Sequence, residues 1–134
     1  RKIFNPHGKR KDMPDKNLSF PRILLHAEGA VVFLAAMSLF HYMKGSWLVF
    51  IIAFIAVDVF MAGYLVSPKV GSITYNAGHV YIAPLIIAAL GLYSGHSLLL
   101  QASTAWIAHI GIDRAFGYGL KYPEKFKDGH LKRV

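Results

Sequence analysis

Four apolar runs follow one another along this chain, separated only by short polar stretches. They cover residues 21–42, 47–66, 72–93 and 97–116. Each is about 20 residues long, enough at about 1.5 Å per helical residue to cross a ~30 Å hydrocarbon layer. The connectors are His41-Tyr42-Met43-Lys44-Gly45-Ser46, Ser67-Pro68-Lys69-Val70-Gly71 and Ser94-Gly95-His96. Turns this short join only antiparallel neighbours. A core helix of a water-soluble protein rarely stays apolar for so long, and here four do so in succession. The pattern predicts an all-α fold, an integral membrane four-helix antiparallel bundle forming a single domain over residues 21–116. Pro84 predicts a kink in the third helix.

Polar sequence flanks the runs. Residues 1–20 read as a basic leader lying on the membrane surface, with Pro6, Gly8 and Pro14 as breakers, and residues 117–134 as a basic tail. No secretory signal is expected in the leader. The absence of an initiator Met predicts first residues that are missing or processed. The composition agrees with the pattern: 54% of the 134 residues are hydrophobic and 16% charged, against about 25% charged in ordinary globular domains. Cysteine is absent, which excludes disulfides, thiolate metal sites and cysteine nucleophiles.

The net charge of +8 matters through its placement. Of 15 Lys and Arg, only Lys44 falls on the side of the first and third connectors. The positive-inside rule then puts both termini in the cytoplasm. The expected location is a bacterial inner membrane or its equivalent. Basic tails beside a hydrophobic core point to an anionic membrane surface rather than to nucleic acid, and no nucleic-acid recognition motif is present.

Ionisable groups inside a membrane are costly and need a reason. Here they form a layer. His26 and Glu28 lie near the inner end of the first run, and Asp58 in the inner half of the second. Asn76 and His79 open the third, and His109 and Asp113 close the fourth. All fall within ~12 Å of one interface at helical rise. His109 and Asp113 are spaced i,i+4 and share a face, as do Asn76 and His79 at i,i+3. His26 and Glu28, two apart, cannot both point inward. Glu28 is expected to be the inward one, because Ala27, Gly29 and Ala30 allow close helix approach.

Three readings compete for this layer. It is hydrogen-bonded packing, or a metal site of carboxylates and imidazoles, or a local proton path. The Glu-x-x-His pairs of di-iron bundles are absent, and the outer halves of the runs offer no continuing polar track. Haem or pigment ligation by His79 or His109 has no supporting motif. Arg114 is expected to reach lipid headgroups and Trp106 to serve packing. His7, His41, His96 and His130 are given no special role.

Near the end of the fourth run the chain reads Trp106-Ile-Ala-His-Ile-Gly-Ile-Asp-Arg-Ala-Phe-Gly-Tyr-Gly-Leu-Lys-Tyr122, then Phe126-Lys-Asp-Gly-His-Leu131. With Leu25-His-Ala-Glu-Gly29, Gly63-Tyr-Leu-Val-Ser-Pro-Lys-Val-Gly-Ser72 and Tyr75-Asn-Ala-Gly-His79, this resembles the domain-of-unknown-function 4260 family of small bacterial membrane proteins. The resemblance begins at about Pro21 and leaves the leader out. It implies four transmembrane helices, and it makes His26, Glu28, Asn76, His79, His109, Asp113 and Arg114 motif positions. It implies no activity.

The expected function is therefore a small multi-pass membrane protein with a polar pocket at the inner leaflet, holding a divalent metal (iron, manganese or zinc). The expected ligands are Asp58, His79, His109 and Asp113, with Glu28 as a further ligand or general base. Hydrolysis or oxidation of a lipid-like substrate is the chemistry such a site would serve. His26, Asn76 and Arg114 are supporting groups. The alternative is a non-catalytic accessory subunit docked to other membrane subunits through its basic tails. The lipid bilayer is the expected partner in both readings, with a homodimer as a further option.

Overall fold

A computed structural model describes residues 19–123 and 130–132; the leader, apart from Ser19 and Phe20, lies outside them. The described chain is helical. Its elements are α1 (Phe20–Tyr42), α2 (Trp47–Ala56), a 3-10 segment (Val57–Leu65), α3 (Pro68–Gly78), α4 (Ile82–Ser94), α5 (Ser97–Ala115) and a final 3-10 turn (His130–Lys132).

Three helical stretches are long and apolar enough to cross a membrane: Phe20–Tyr42, Trp47–Leu65 and Pro68–Ser94. Their outward side chains, among them Val31, Leu34, Ile51, Ile55, Ile82 and Leu90, are exposed. So broad an apolar surface belongs against lipid rather than water. The fourth predicted span, α5, is not apolar enough to join them. Gln101, Ser103, Thr104, His109, Asp113 and Arg114 dilute it. It tolerates them because it is the shared partner of the other helices: α1, α2 and α4 all pack on it. Ser103, Thr104, Ala105, Ala108, His109, Ile110 and Gly111 are buried.

Glycine sets the closest of these contacts. A Cβ on Gly29 would stand 2.5 Å from Ala115 N and Arg114 Cβ, and one on Gly111 would stand 2.8 Å from Phe33 N. The α1 and α5 backbones therefore touch where His109 and Asp113 begin. Toward the other end Ala36, Phe40, Phe50, Ala105 and Ala108 form the apolar core. Phe40, Phe50 and Phe54 continue it as a ladder of ring contacts that ends on His109.

Two helices differ from the sequence pattern. The second run is one helical stretch, but it tightens to 3-10 geometry at Val57 and stays so to Leu65. Side chains three apart eclipse in such a helix, which sets Asp58 and Met61 on one face. The third run starts earlier than expected, at Pro68. The Ser67 hydroxyl caps it by accepting from Val70 N (3.1 Å), with Pro68 in the first turn, where its missing N–H costs nothing. It then breaks over residues 79–81 instead of kinking at Pro84. A proline ring clashes with the carbonyl four residues before it, so α-geometry cannot pass Val80. Pro84 sits in the first turn of the new helix α4, and His79 stands at the break.

Candidate metal centre

The break frees backbone carbonyls, and α5 answers them. Trp106 Nε1 donates to Gly78 O (2.7 Å), and Arg114 Nη2 donates to His79 O (3.1 Å). Trp106 is thus more than packing, and Arg114 turns one guanidinium nitrogen inward to the His79 carbonyl while its side chain also borders the groove beside Glu28. Both bonds fix the position of His79.

His79 is held from its other side as well. Its ring stacks on Tyr75 at 3.8 Å between centroids. Its Nδ1 donates to the Tyr75 carbonyl at 2.8 Å. A carbonyl only accepts, so the proton is on Nδ1 and Nε2 carries a lone pair when the ring is neutral. That Nε2 lies 3.4 Å from Asp113 Oδ2. On α5, the His109 Nε2 lies 3.3 Å from the same carboxylate oxygen and 3.4 Å from Asp58 Oδ1. Asp58, His79 and His109 each offer a donor atom within 4.8 Å of the others, a grouping able to hold a metal ion.

Both imidazoles are deeply buried, at 3% and 5% side-chain exposure, whereas Asp113 is 23% and Asp58 55% exposed. The open side is therefore the carboxylate side. It faces a cavity of about 210 Å³ lined by Asp58, Met61, Tyr75, Asp113, Tyr118 and Lys121. The Lys121 ammonium lies 5.4 Å from the Tyr75 ring centre and 5.6 Å from that of Tyr118.

The cavity owes its far wall to the stretch after α5. Asn76 clamps that stretch with a pair of bonds, Nδ2 donating to Lys121 O (2.8 Å) and Oδ1 accepting from Lys121 N (2.7 Å). The expected basic tail thus begins as part of the packed structure, with Leu131 buried. Asn76→Ala removes both bonds and leaves a backbone pair unanswered, at about 1–3 kcal/mol. Faster proteolytic cleavage after residue 116, with the helix content retained, is the expected readout.

His130 is a participant that the sequence did not single out. Its backbone N donates to Leu120 O (2.9 Å), and its Nδ1 accepts from Leu120 N (2.8 Å). The Arg114 guanidinium lies 3.4 Å from its Nε2. Partial burial, and then the Arg114 charge, lower its pKa from the ordinary 6.5. A lowered pKa in the folded state means that the neutral ring is the one bound. Its contribution is complete above pH ~6.5 and is lost as pH falls through the folded value. The pairing of Leu120 with His130 should therefore loosen under mildly acidic conditions. Amide exchange at Leu120 measured across that range would show it, and His130→Gln should flatten the dependence.

The expected site residues separate into two groups. Asp58, His79, His109 and Asp113 are brought together. Glu28 is not: it is exposed on α1 and lines a different groove, beside Tyr81 and Arg114. The inward residue of that pair is His26, whose Nδ1 donates to Ala115 O (2.7 Å) at the end of α5. The α1–α5 contact at Gly29 decides this. It turns His26 toward the α5 terminus and leaves Glu28 on the outer side.

A family profile described as "Domain of unknown function (DUF4260)" matches residues 22–134. The chain belongs to the DUF4260 family. The match takes in the site and, but for the first two residues of α1, all five α-helices. No curated protein and no solved structure matches the chain.

Proposed function

We propose that this DUF4260 protein is an integral membrane protein that binds a divalent metal ion through His79, His109 and Asp58, with Asp113 completing the site. Ligand spacing carries the reading. Metal bonds of about 2.0–2.1 Å in a tetrahedral site hold neighbouring ligand atoms about 3.3–3.4 Å apart. The three imidazole–carboxylate separations are 3.4, 3.4 and 3.3 Å. Charge-assisted hydrogen bonds are shorter, about 2.7–2.9 Å. Neither His79 Nε2 nor either ring nitrogen of His109 has a hydrogen-bond partner, although all are buried.

Chemistry supports the spacing. With Nδ1 protonated, a neutral His79 turns a lone pair toward a carboxylate, a contact that either a proton on Nε2 or a metal ion between the two relieves. A divalent ion would neutralise two carboxylates and satisfy two buried imidazoles together. The Nδ1–carbonyl bond of His79 is the outer support that metal-ligating histidines usually have. Two nitrogen and two oxygen donors suit zinc, manganese or ferrous iron.

The same reading puts the helices in an antiparallel bundle with both termini cytoplasmic, following the lysine and arginine count. The metal then lies near the cytoplasmic leaflet and faces the cavity bordered by Lys121. A metal there would act as a Lewis acid or activate a water, with Lys121 and Tyr118 placed to meet an anionic part of a substrate. Elemental analysis of the protein purified in mild detergent tests the proposal. Near-stoichiometric metal is expected. No metal after growth in zinc-, iron- and manganese-replete media would overturn it, leaving the four side chains as packing and raising the accessory-subunit alternative.

A further inference from the structure

The groove that holds Glu28 is a separate feature. It has a volume of about 540 Å³ and runs between α1 and the Tyr81–Arg114 side, with Leu24, Val31 and Val32 among its walls. It opens on the apolar surface of a helix long enough to cross a membrane. Its lining is apolar apart from Glu28, Tyr81 and Arg114.

Glu28 is exposed on that surface and forms no ion pair with any described residue. A lone carboxylate on a membrane-spanning helix is costly and calls for a partner. Arg114 sits on the same groove. Its guanidinium reaches His79 O and His130, but no carboxylate among the described residues lies within ion-pair distance. The groove therefore presents one negative and one positive group that are not joined to each other, above an apolar channel.

We propose that this groove binds a zwitterionic phospholipid with a primary amine, phosphatidylethanolamine. Its ammonium meets Glu28, its phosphate meets Arg114, and one acyl chain lies along Val31 and Val32. The charges choose the occupant. An anionic lipid would satisfy Arg114 and leave Glu28 facing like charge. A fatty acid would do the same. Phosphatidylcholine has the right net charge but no N–H to donate, so it forfeits the charge-assisted hydrogen bonds that a carboxylate accepts. Tyr81 also lines the groove and is a further polar residue available to the headgroup. This proposal does not depend on a metal at His79 and His109.

Native mass spectrometry of the full chain in mixed micelles tests it, using phosphatidylethanolamine, its mono- and dimethyl derivatives, phosphatidylcholine and phosphatidylglycerol. Phosphatidylethanolamine is expected to be retained about tenfold over phosphatidylcholine and phosphatidylglycerol. Retention should fall with each added methyl, a series that needs no variant. Glu28→Gln should abolish the preference while helix content and metal content stay unchanged. Equal retention of the five lipids would overturn the proposal. So would a preference for phosphatidylglycerol, or a preference for phosphatidylethanolamine that survives Glu28→Gln. Closure of the groove by a second copy of the chain, with no lipid bound, would overturn it as well.

Discussion

His109→Gln is expected to weaken divalent-metal binding by more than about 100-fold, since even groups outside the ligand set cost 10–100-fold in known sites. His109 is the residue to change first because its Nε2 faces both carboxylates, at 3.3 and 3.4 Å. His79→Gln should act with similar force, as it removes a buried donor already oriented by Tyr75. Asp58→Asn should do less, about tenfold, because its carboxylate is more than half exposed and water can take its place. Elemental analysis and metal titration read this order directly. A metal that binds only the folded chain also stabilises it. At a hundredfold excess over Kd the gain is about 2.7 kcal/mol, and a chelator should reverse it. The result that sinks the site is a His109→Gln, His79→Gln double variant that keeps wild-type metal content.

The second large effect concerns the scaffold. Gly29→Val is expected to cost at least about 1–3 kcal/mol, the usual penalty of forcing extra methyl groups into a packed contact. The obstruction is backbone and Cβ rather than a flexible tip: Ala115 N and Arg114 Cβ at 2.5 Å, Gly111 O at 2.7 Å. Neither helix can yield without moving the other. Gly111→Val meets the Phe33 backbone in the same way. Because α5 carries His109 and Asp113, displacement should lower metal affinity along with the midpoint of thermal unfolding in detergent. Ala30→Val, one residue away, is the control, and a loss of stability equal to that of Gly29→Val would show that the glycine contact is not the cause.

Much of the site was legible because the membrane makes polar residues conspicuous. In an apolar run, Asp58, His79, His109 and Asp113 stand out as costs needing compensation. The i,i+4 spacing of His109 and Asp113 already put two of them on one face. Glu28 misled for a physical reason. Two residues apart on a helix, it and His26 compete for the interior, and the small neighbours of Glu28 say that helices come close without saying on which side. Gly29 packs on α5, which carries His26 to Ala115 O and leaves Glu28 outside. Nor did spacing show the role of His130. Its partners, Leu120 and Arg114, are 10 and 16 residues away, joined by a stretch with no helical period.

The sequence alone determined the helical class, the long apolar segments and the identity of the costly polar groups. These follow from hydrophobicity and local period, which act between near neighbours. It also carried the resemblance to the family, through motifs that run continuously along the chain. The tertiary structure decided the rest. It made α5 the shared inner helix despite its low hydropathy, because packing against three partners offsets its polar content. It broke the third run at His79, where Pro84 denies the chain a continuous helix and α5 supplies donors for the freed carbonyls. It also set the 3.3–3.4 Å spacing of the His/Asp cluster. Two of those three distances join side chains 34 and 51 positions apart, and they are fixed by how helices pack, which no local pattern encodes.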